Sequence, residues 1–375
     1  MVRFSPCPDY SPDHCRAALE AAAGDLSWVR PGMRVGIKLN LIHAAAPDAA
    51  ATTHPALVKA LTDLLIQRGA TVVLGDSPGG LYNAAHLDRV YRVCGLEQLG
   101  AELNHDFSVK DGVFPHGKVL KRFQYTGWLD DCDEIINFCK LKTHGMMAMT
   151  CAVKNFFGTI PGTIKPEFHF RFPQATDFAH MLVDLQLYWK PRLHIVDAVT
   201  AMEGNGPTAG TPRELGSVLA SENPFALDQI CAPLIGLQPQ QVPTQQAAME
   251  RGLVPDFPFP AELLSYCKTD FRLPPTKSTL FRSVLPGKAG ELAGKAMQNV
   301  LSPRPTLMPD LCIGCGKCAA LCPAKAIHMV KGKPRIHRST CIRCFCCQEF
   351  CPKGALEARR SALAKVLTQS ASPSQ

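Results

Sequence analysis

The sequence predicts an α/β protein with a mostly parallel sheet, followed by a small second domain that is rich in cysteine. Between residues 33 and 235, short apolar segments alternate with amphipathic helical segments, the order that produces parallel strands. Nine of the 17 cysteines lie at 312–322 and 341–351, and eight of them form two runs of equal spacing. The composition, 46% hydrophobic and 19% charged over 375 residues, is that of a globular protein.

The first β–α–β unit is predicted at residues 33–74. Residues 33–42 are apolar and are expected to form a buried strand. A helix follows, with Thr53 as its predicted N-cap and Gly69 as its stop signal, and residues 70–74 form the second strand. This order predicts a Rossmann-like sheet.

The loop at 75–80 leads out of the second strand and contains Asp76 and Ser77. Because ligands bind at the carboxyl ends of parallel strands, these two residues are candidates for substrate binding. The loop has neither the glycine spacing nor the lysine of a phosphate-binding loop, so a tight turn is the alternative. A helix near 83–93 and a short strand near 101–104 are predicted next.

Three cations follow a predicted strand at 133–138. Lys142, His144 and Lys154 lie within 13 residues of one another, among glycines and methionines rather than among other charges. Lysines with apolar neighbours bind anions, or lose their proton when they are desolvated. The three residues are therefore candidates for catalysis, and a set of salt-bridged or snorkelling lysines is the alternative.

A second group of candidates lies after the predicted strand 193–196, which follows a predicted helix at 177–188. Asp197 is expected to end this strand, and Glu203 lies among the glycines and prolines of the segment that follows. Loops after parallel strands hold substrates or metals, so Asp197 and Glu203 are candidates for catalysis. An ordinary long connection is the alternative.

The last elements predicted for the first domain are a strand at 217–221 and a helix at 224–235. Asn223 is the predicted N-cap of this helix. Asp228 lies on its largely apolar face, which is unusual for a carboxylate that has no partner.

A change in composition predicts the domain boundaries. The first domain occupies 1–254, and a proline-rich, basic linker follows at 255–306. The cysteine-rich domain occupies 307–358. The tail, 359–375, is a low-complexity segment of serine, alanine and glutamine, for which disorder is expected.

The cysteine-rich domain contains an internal repeat. Each run has the spacing C-x2-C-x2-C-x3-C followed by proline, and the second run lies 29 residues after the first. In such runs three thiolates hold one 4Fe–4S cluster and the fourth cysteine holds the other. The spacing therefore predicts two 4Fe–4S clusters. The first has Cys312, Cys315, Cys318 and Cys351 as its ligands, and the second has Cys341, Cys344, Cys347 and Cys322.

Two other interpretations of these cysteines exist. Zinc binds paired Cys-x-x-Cys motifs, but one zinc site needs four ligands and the two runs supply eight. A disulfide framework requires an oxidising compartment and usually a small secreted chain. Cys346 is an extra thiol beside Cys347 that disturbs neither run.

The basic surplus of the chain belongs to its C-terminal part. Residues 269–375 carry 17 Lys+Arg against 5 Asp+Glu, whereas residues 1–268 carry 23 against 27. Compensation of the anionic clusters accounts for this charge. Docking of an acidic redox partner is a second explanation.

Two resemblances support this organisation. The cysteine repeat resembles the two-cluster bacterial ferredoxin module, a small α+β fold. Over residues 30–358 the chain resembles domain-of-unknown-function family 362, whose members often carry such a module. The motifs are KLN at 38–40, TTHP at 52–55, GDSPGG at 75–80, KLKTH at 140–144, AVKNFFG at 152–158 and IVDAVTAMEGNGPTAGTP at 195–212. The resemblance implies a cytoplasmic iron–sulfur protein of redox metabolism, and no catalytic residue is carried over from it.

These observations lead to one functional hypothesis. A redox protein is expected, in which 4Fe–4S clusters exchange electrons with a small anionic substrate at the α/β domain. The candidates for catalysis are Lys142, His144, Lys154, Glu203 and Asp197. The candidates for substrate binding are Lys38, Asn40, Asp76, Ser77 and Asn155, of which Lys38, Asn40 and Asn155 are polar residues of the family motifs.

The sequence also allows other functions. A pure electron carrier that docks a redox partner protein is the alternative, whereas nucleic-acid binding is disfavoured because aromatic residues are not interleaved with the basic ones. The first residues lack the apolar core of a signal peptide, and no run of 18 apolar residues predicts a membrane span. Together with the free thiols, this favours a cytoplasmic protein.

Overall fold

The computed structural model describes residues 1–274 and 302–360 and contains one large mixed sheet, covered on both faces, and three small two-stranded sheets. The strands are β1 Arg3–Pro6, β2 Arg34–Lys38, β3 Thr71–Gly75, β4 Glu102–Leu103, β5 Val109–Val113, β6 Arg122–Thr126, β7 Glu134–His144, β8 Ala148–Thr150, β9 Leu193–Glu203, β10 Thr211–Ser221, β11 Arg304–Leu307, β12 Ile327–Val330, β13 Lys333–Ile336 and β14 Leu356–Arg359.

The α-helices are mostly short. They are α1 Pro12–Ala23, α2 Pro55–Ile66, α3 Ala84–Val93, α4 Ala152–Asn155, α5 Lys165–Arg171, α6 Ala175–Trp189, α7 Pro224–Leu234, α8 Pro243–Met249, α9 Lys317–Ala320 and α10 Cys346–Glu349. In the described ranges, no helix combines the length and the apolar character that crossing a membrane requires.

The large sheet has the order β1-β10-β9-β7-β2-β3-β4, and β8 pairs with the end of β7. The five strands β9, β7, β2, β3 and β4 are parallel, and β10 and β1 add an antiparallel edge. This order confirms the predicted α/β fold. The strand order reverses between β2 and β7, and ligands bind outside the carboxyl ends of strands at such a point.

The two faces of the sheet carry separate cores. Ile136 and Phe138 of β7 pack on the face that α1 and α2 cover. Cys139 and Leu141, on the opposite face, pack with α7. Because side chains alternate between two covered faces, nine of the 11 residues of β7 are buried.

Two strands are longer than the sequence predicts. β7 was expected to end at Phe138 but continues to His144, and β9 was expected to end at Asp197 but continues to Glu203. Charged residues led to both errors. Lys140 and Asp197 stay inside their strands because they form a buried ion pair, with Nζ and Oδ2 2.8 Å apart.

The segment after Asp197 is also different from the expected loop. β10 was predicted at 217–221, yet it begins at Thr211 and pairs with β9 in an antiparallel hairpin. Of the glycines and prolines that predicted a long loop, those from Gly204 to Gly210 lie in the connection between these two strands, whereas Pro212 and Gly216 lie inside β10. The chain can form this hairpin because β9 is the last parallel strand and its outer edge is free to pair with β10.

Of the two helix caps that the sequence predicts, one is confirmed and one is wrong. Asn223 does cap α7, accepting the backbone N–H groups of Phe225 and Ala226 at 2.9 and 3.1 Å. Thr53 does not cap α2: its hydroxyl donates to the carbonyl oxygen of Phe138 at 2.9 Å, and His54 takes the cap position. The proline after His54 begins α2 and places the cap one residue later than predicted.

Asp228 finds its partners in α4. Its carboxylate accepts the backbone N–H groups of Ala152 and Val153 at 2.8 and 3.2 Å. The free N–H groups of a helix start explain why a carboxylate lies on the apolar face of α7.

The C-terminal module, residues 304–359, has the internal symmetry that the cysteine repeat predicts. β11 and β13 are related by the 29-residue offset of the repeat, as are β12 and β14 and the helices α9 and α10. β11 pairs with β14 and β12 with β13, so each half of the repeat supplies one strand to each small sheet.

The repeat also places left-handed residues at equivalent positions. Gly314 and Gly316 have φ values of 69° and 74°, and Arg343 and Phe345 at the matching positions have 57° and 62°. The backbone thus requires the same turn even where glycine is replaced, since this turn brings the three cysteines of each run together.

The module packs directly against the α/β domain. Phe345 and Ala358 belong to the apolar core that contains Met146 and Met147. The amide nitrogen of Gln348 donates to Asn205 Oδ1 at 2.6 Å. Apolar packing and a hydrogen bond therefore hold the module against the α/β domain.

The structure describes only some residues of the predicted linker and tail. Phe271 and Leu263 pack in the core of the α/β domain, and β11 begins at Arg304, three residues before the predicted boundary. The rest of the predicted linker, 275–301, and the predicted tail from residue 361 onward lie outside the described residues.

Candidate active site at the carboxyl edge of the sheet

A cleft opens at the carboxyl ends of β2, β3 and β7, beside the point where the strand order reverses. It contains about 600 Å³ of space that is continuous with solvent. The α/β domain supplies most of its walls, and Glu349 and Phe350 of the C-terminal module supply the rest. The residues that line it are Asn40, Ile42, Asp76, Ser77, Gly79, Thr150, Lys154, Asn155, Phe157, Gly158, Lys165, His169, Glu349 and Phe350.

A buried ion pair forms the floor of the cleft. Lys38 Nζ lies 2.8 Å from Asp76 Oδ1, and both side chains are almost completely buried. Asp76 Oδ2 also accepts the backbone N–H of Leu41 at 2.7 Å. Gly158 lies directly against the pair, because an added Cβ would come within 2.0 Å of Asp76 Oδ1. Lys38 and Asp76 therefore neutralise each other's charge and hold the ends of β2 and β3 together.

A relay of three asparagines crosses the floor beside this pair. Asn40 Nδ2 donates to Asn155 Oδ1 at 2.8 Å, and Asn155 Nδ2 donates to Asn137 Oδ1 at 2.8 Å. Asn137 Nδ2 donates to the carbonyl oxygen of Ala152 at 2.9 Å. The relay ties β2, α4 and β7 to one another, and two of its members, Asn40 and Asn155, line the cleft.

Two lysines place positive charge on the cleft wall. Lys154 makes no hydrogen bond or ion pair with any residue in 1–274 or 302–360, and its ammonium group lies 5.8 Å from the centre of the Phe157 ring. Lys165 donates to the carbonyl oxygen of Ser77. Burial lowers the pKa of both lysines, that of Lys165 to about 8. Burial alone lowers such a pKa because an ammonium ion loses its hydration.

The His144–Glu349 pair joins the α/β domain to the C-terminal module. His144 Nδ1 accepts backbone N–H groups from Met146 and Met147 at 3.1 and 3.2 Å, so Nε2 carries the proton of the neutral ring. Nε2 lies 2.9 Å from Glu349 Oε1, although the two groups are not aligned as a hydrogen bond. Burial and the charge of Lys154 lower the pKa of His144 to about 4.

Glu349 is ionised at neutral pH in this setting. Burial by itself opposes ionisation, but His144 and Lys154 hold the pKa of Glu349 below its usual value. Lys38, Lys154 and Lys165 thus face the carboxylates of Asp76 and Glu349, which leaves a formal excess of one positive charge at the cleft. This balance suits a monoanionic ligand.

The predicted site residues are divided among several places. Asn40, Asp76, Ser77, Lys154 and Asn155 line the cleft, and Lys38 lies beneath it. His144 reaches the cleft only through Glu349. Lys142 is fully buried and donates to the carbonyl oxygen of Ala51 at 2.6 Å. Burial and the charges of two neighbouring lysines lower the pKa of Lys142 to about 7.

Asp197 and Glu203 do not line the cleft. Asp197 accepts from Lys140 and from the hydroxyl of Tyr10, at 2.8 and 3.0 Å. Glu203 Oε1 lies 2.6 Å from Nε of Arg272. Both carboxylates are thus held by a cation within the protein.

Several cleft residues were not among the sequence candidates. Lys165 and His169 are one helical turn apart on α5, so they share a face, and this i, i+4 spacing is the signal that could have identified them. Glu349 lies inside the second cysteine run, and nothing in the sequence around it indicates a substrate site. Only the docking of the module on the α/β domain brings Glu349 to the cleft.

The eight cysteines of the repeat form two groups. Cys312, Cys315 and Cys351 are close enough to Cys318 to add to the increase of its pKa that burial causes. A cavity of about 360 Å³ lies among these four residues, and its other walls are largely apolar. Four thiols around an apolar cavity suit a 4Fe–4S cluster.

The second group shows the same arrangement. Burial raises the pKa of Cys347 well above its usual value, and Cys344, Cys341 and Cys322 add to this increase. The backbone N–H of Ala326 donates to Cys322 Sγ at 3.2 Å, and that of Ala355 donates to Cys351 Sγ at 3.2 Å. Such N–H···S hydrogen bonds stabilise the thiolate form that iron requires.

All 17 cysteines of the chain are free thiols. Among the described residues, no three His, Cys, Asp or Glu side chains come together in a group that would hold one metal ion. None of the 17 cysteines is in a disulfide bond, so the structure does not support the disulfide alternative.

Comparisons with known proteins agree with this organisation. A protein-family model described as Domain of unknown function (DUF362) matches residues 35–233, and a model described as 4Fe-4S dicluster domain matches residues 304–352. The chain is 34% identical over 249 residues to a thylakoid-associated protein of Synechocystis sp.. The match covers 64% of this chain and 74% of that protein.

Two solved structures show a partial similarity to this chain. The lactate racemase apoprotein from Thermoanaerobacterium thermosaccharolyticum is 10% identical with a TM-score of 0.41, and the match covers 62% of this chain and 56% of that one. A crystal structure of a protein from Thermotoga maritima is 12% identical with a TM-score of 0.37, covering 66% and 60%. The chain spans less than two thirds of the length of either structure.

Proposed function

Because this chain belongs to the DUF362 family and carries a ferredoxin-type 4Fe–4S domain, we propose that it is an iron–sulfur redox protein with a substrate cleft. Electrons pass to or from a small, monoanionic molecule that binds at the carboxyl edge of the sheet. The position of Glu349 and Phe350 supports this proposal most strongly. They line the cleft and lie in the chain between Cys347 and Cys351 of the cysteine repeat.

We assign the eight cysteines to two clusters. Cys312, Cys315, Cys318 and Cys351 hold one, and Cys341, Cys344, Cys347 and Cys322 hold the other, as their grouping around Cys318 and Cys347 supports. A bound 4Fe–4S cluster supplies or accepts single electrons. Cys346, which is buried beside Cys347, is left outside both sets.

Iron content tests this assignment. Protein purified without oxygen should contain about eight irons per chain, because each cubane holds four. Cys347→Ala should lose about half of this iron, since it removes a ligand of one cluster. The neighbouring change Cys346→Ala is the matched control and should retain all of it. Full iron in Cys347→Ala, or zinc in the native protein, would contradict the assignment.

The cleft residues have separate roles in this proposal. Lys154 binds the charge of the substrate, because it is buried and makes no ion pair with another residue in the described ranges. Lys165 holds a proton that it can release near neutral pH, with a pKa of about 8. His144, a candidate for catalysis from the sequence, faces Glu349 and so acts on the cleft only through that carboxylate.

Reoxidation of the reduced protein tests the function. The full-length holoprotein, reduced with dithionite and freed of excess reductant, is mixed anaerobically with small monoanions. The visible absorbance of the clusters then reports electron loss. Reoxidation that saturates with the concentration of one anion is expected, because the anion must first occupy the cleft. Reoxidation that rises linearly for every oxidising anion would speak against a substrate site.

A pure electron carrier is the second candidate, and the exposed edge of the C-terminal module favours it. Cys315 is exposed there, next to Ile313, whose side chain is 62% exposed. Lys317 and Lys353 line the same cavity as Cys315. An apolar centre with a basic rim suits an acidic redox protein as partner.

Charge removal on this edge tests the docking of a partner. Lys317→Gln and Lys353→Gln should each weaken binding of an acidic flavodoxin to the holoprotein by roughly 2- to 5-fold at low salt. Arg30→Gln is the control, because it removes the same charge from an exposed position of the α/β domain. Binding would be measured by titration calorimetry at two salt concentrations. Equal effects of all three changes would show that only net charge matters.

The location of the protein is also a proposal. Free thiols and oxygen-sensitive clusters favour a reducing cytoplasm. The relative from Synechocystis sp. is described as thylakoid-associated, so contact with a membrane surface is compatible with this assignment.

A further inference from the structure

The asparagine relay on the floor of the cleft ends in an unused acceptor. Asn40 Oδ1 has no hydrogen-bond partner in the part of the chain that the structure describes, although Asn40 is only 8% exposed. We propose that the ligand of the cleft carries a hydrogen-bond donor, a hydroxyl or an N–H group, beside its anionic group. This inference rests on the proposed function, because it concerns the ligand of the same cleft.

Backbone groups determine the direction of the relay. A carbonyl oxygen can only accept, so the contact with Ala152 requires that Asn137 present its Nδ2 there at 2.9 Å. Asn137 Oδ1 is then the atom that accepts from Asn155 Nδ2 at 2.8 Å. Asn155 Nδ2 also donates to the carbonyl oxygen of Lys38 at 3.3 Å, which requires the same orientation.

The last step leaves an oxygen as the free acceptor. Asn155 Oδ1 accepts from the ammonium group of Lys38 at 3.4 Å and from Asn40 Nδ2 at 2.8 Å. Turning the Asn40 amide over would bring two oxygens together at this contact. The atom of Asn40 that remains without a partner is therefore Oδ1, an acceptor, on a residue that lines the cleft.

An acceptor held in this way selects its ligand. A buried acceptor without a partner costs about 1–3 kcal/mol, so a ligand that supplies a donor binds more tightly than one that does not. Sites built to hydrogen-bond a hydroxyl reject analogues that lack it. Thr150 Oγ1, another cleft atom without a partner among the described residues, can add one further hydrogen bond.

The charges define the other end of the ligand. Lys154 and Lys165 line the same cleft as Asn40 and bind a carboxylate or another anionic group. A small carboxylate with a hydroxyl or amide substituent has both features.

Matched pairs of ligands test the inference. Binding of glycolate, oxamate and acetate to the oxidised, full-length holoprotein would be measured by titration calorimetry, because all three are monoanions and only acetate lacks a hydrogen-bond donor. Glycolate or oxamate should bind roughly 10- to 100-fold more tightly than acetate. Whether glycolate or oxamate is favoured then distinguishes a hydroxyl donor from an N–H donor.

Asn40→Leu provides a second measurement on the same ligands. The variant should lose the preference for the donor-bearing ligand and keep acetate binding, because Lys154 and Lys165 are unchanged. Iron content and the unfolding temperature would show that the variant is folded. Should it not fold, the comparison of ligands on the native protein still decides.

The outcomes separate the two levels of the proposal. Equal affinity for glycolate, oxamate and acetate would overturn the inference about the donor and leave the anion-binding cleft intact. Failure of all three to bind the native protein would overturn the anion-binding cleft itself. If the preference for a donor-bearing ligand persists in Asn40→Leu, the acceptor is another residue, and the proposed role of the relay is overturned.

Discussion

Replacement of Lys154 by methionine should weaken the binding of a small anion in the cleft by roughly 10- to 100-fold. The reason is that Lys154 is a buried cation that makes no ion pair within the described ranges, so its charge is available to a ligand. Methionine keeps most of the packing against Phe157 and removes only the ammonium group. Affinity would be measured by titration calorimetry with a carboxylate, and iron content should be unchanged because Lys154 lies outside the cysteine repeat.

The matched control is Lys59→Met, which removes a lysine from the surface pair with Asp63. It should leave the affinity within twofold of the native value. The affinity of the native protein should also fall as the pH rises from 7 to 9, since Lys165 loses its charge around its pKa of about 8. If Lys154→Met binds the anion as tightly as the native protein does, Lys154 is not part of the anion site and Lys165 is the residue that binds the anion.

Asp197→Ala should lower the free energy of unfolding by about 3–5 kcal/mol. Asp197 and Lys140 are both fully buried and form an ion pair at 2.8 Å, so removing the carboxylate leaves a buried ammonium ion without a counterion. Asp197 also accepts the hydroxyl of Tyr10 and the backbone N–H of His54, at 3.0 Å each. Thermal and urea unfolding of the holoprotein would measure the loss.

The double variant Lys140→Met/Asp197→Leu separates charge from packing. It should regain most of the lost stability, because a pair of apolar side chains of similar volume replaces the ion pair. Its anion affinity should be close to that of the native protein, since neither residue lines the cleft. A native stability in Asp197→Ala, with a large loss of turnover, would instead support the catalytic role that the sequence suggested for Asp197.

These two predictions separate kinds of charge that look alike in the sequence. Lys140, Lys142 and Lys154 all lie among apolar residues of the same stretch. Lys140 is paired with Asp197, Lys142 donates to a backbone carbonyl, and Lys154 faces the cleft. An apolar setting indicates that a lysine is buried, but not which group it meets there.

Much of the fold followed from local patterns in the chain. The β–α–β unit, the helices near 83–93 and 177–188, and the Asn223 cap agree with the structure because hydrophobic periodicity and capping act over a few residues. The ends of β7 and β9 were missed because a charged residue inside a strand is stable only when a partner from another strand reaches it. That partner is not visible in the local sequence.

The sequence by itself predicted how the cysteines group, because their spacing within each run allows few arrangements. It also placed polar residues at strand ends, and Asn40, Asp76, Ser77, Lys154 and Asn155 do line the cleft. Only the tertiary structure decided that Glu349 meets His144, that Lys165 and His169 complete the wall, and that Asn40 presents an acceptor. The physical reason is that these contacts depend on how the C-terminal module and α5 pack on the sheet. Such packing is set by complementary surfaces far apart in the chain, whereas spacing within a motif is set by the backbone alone.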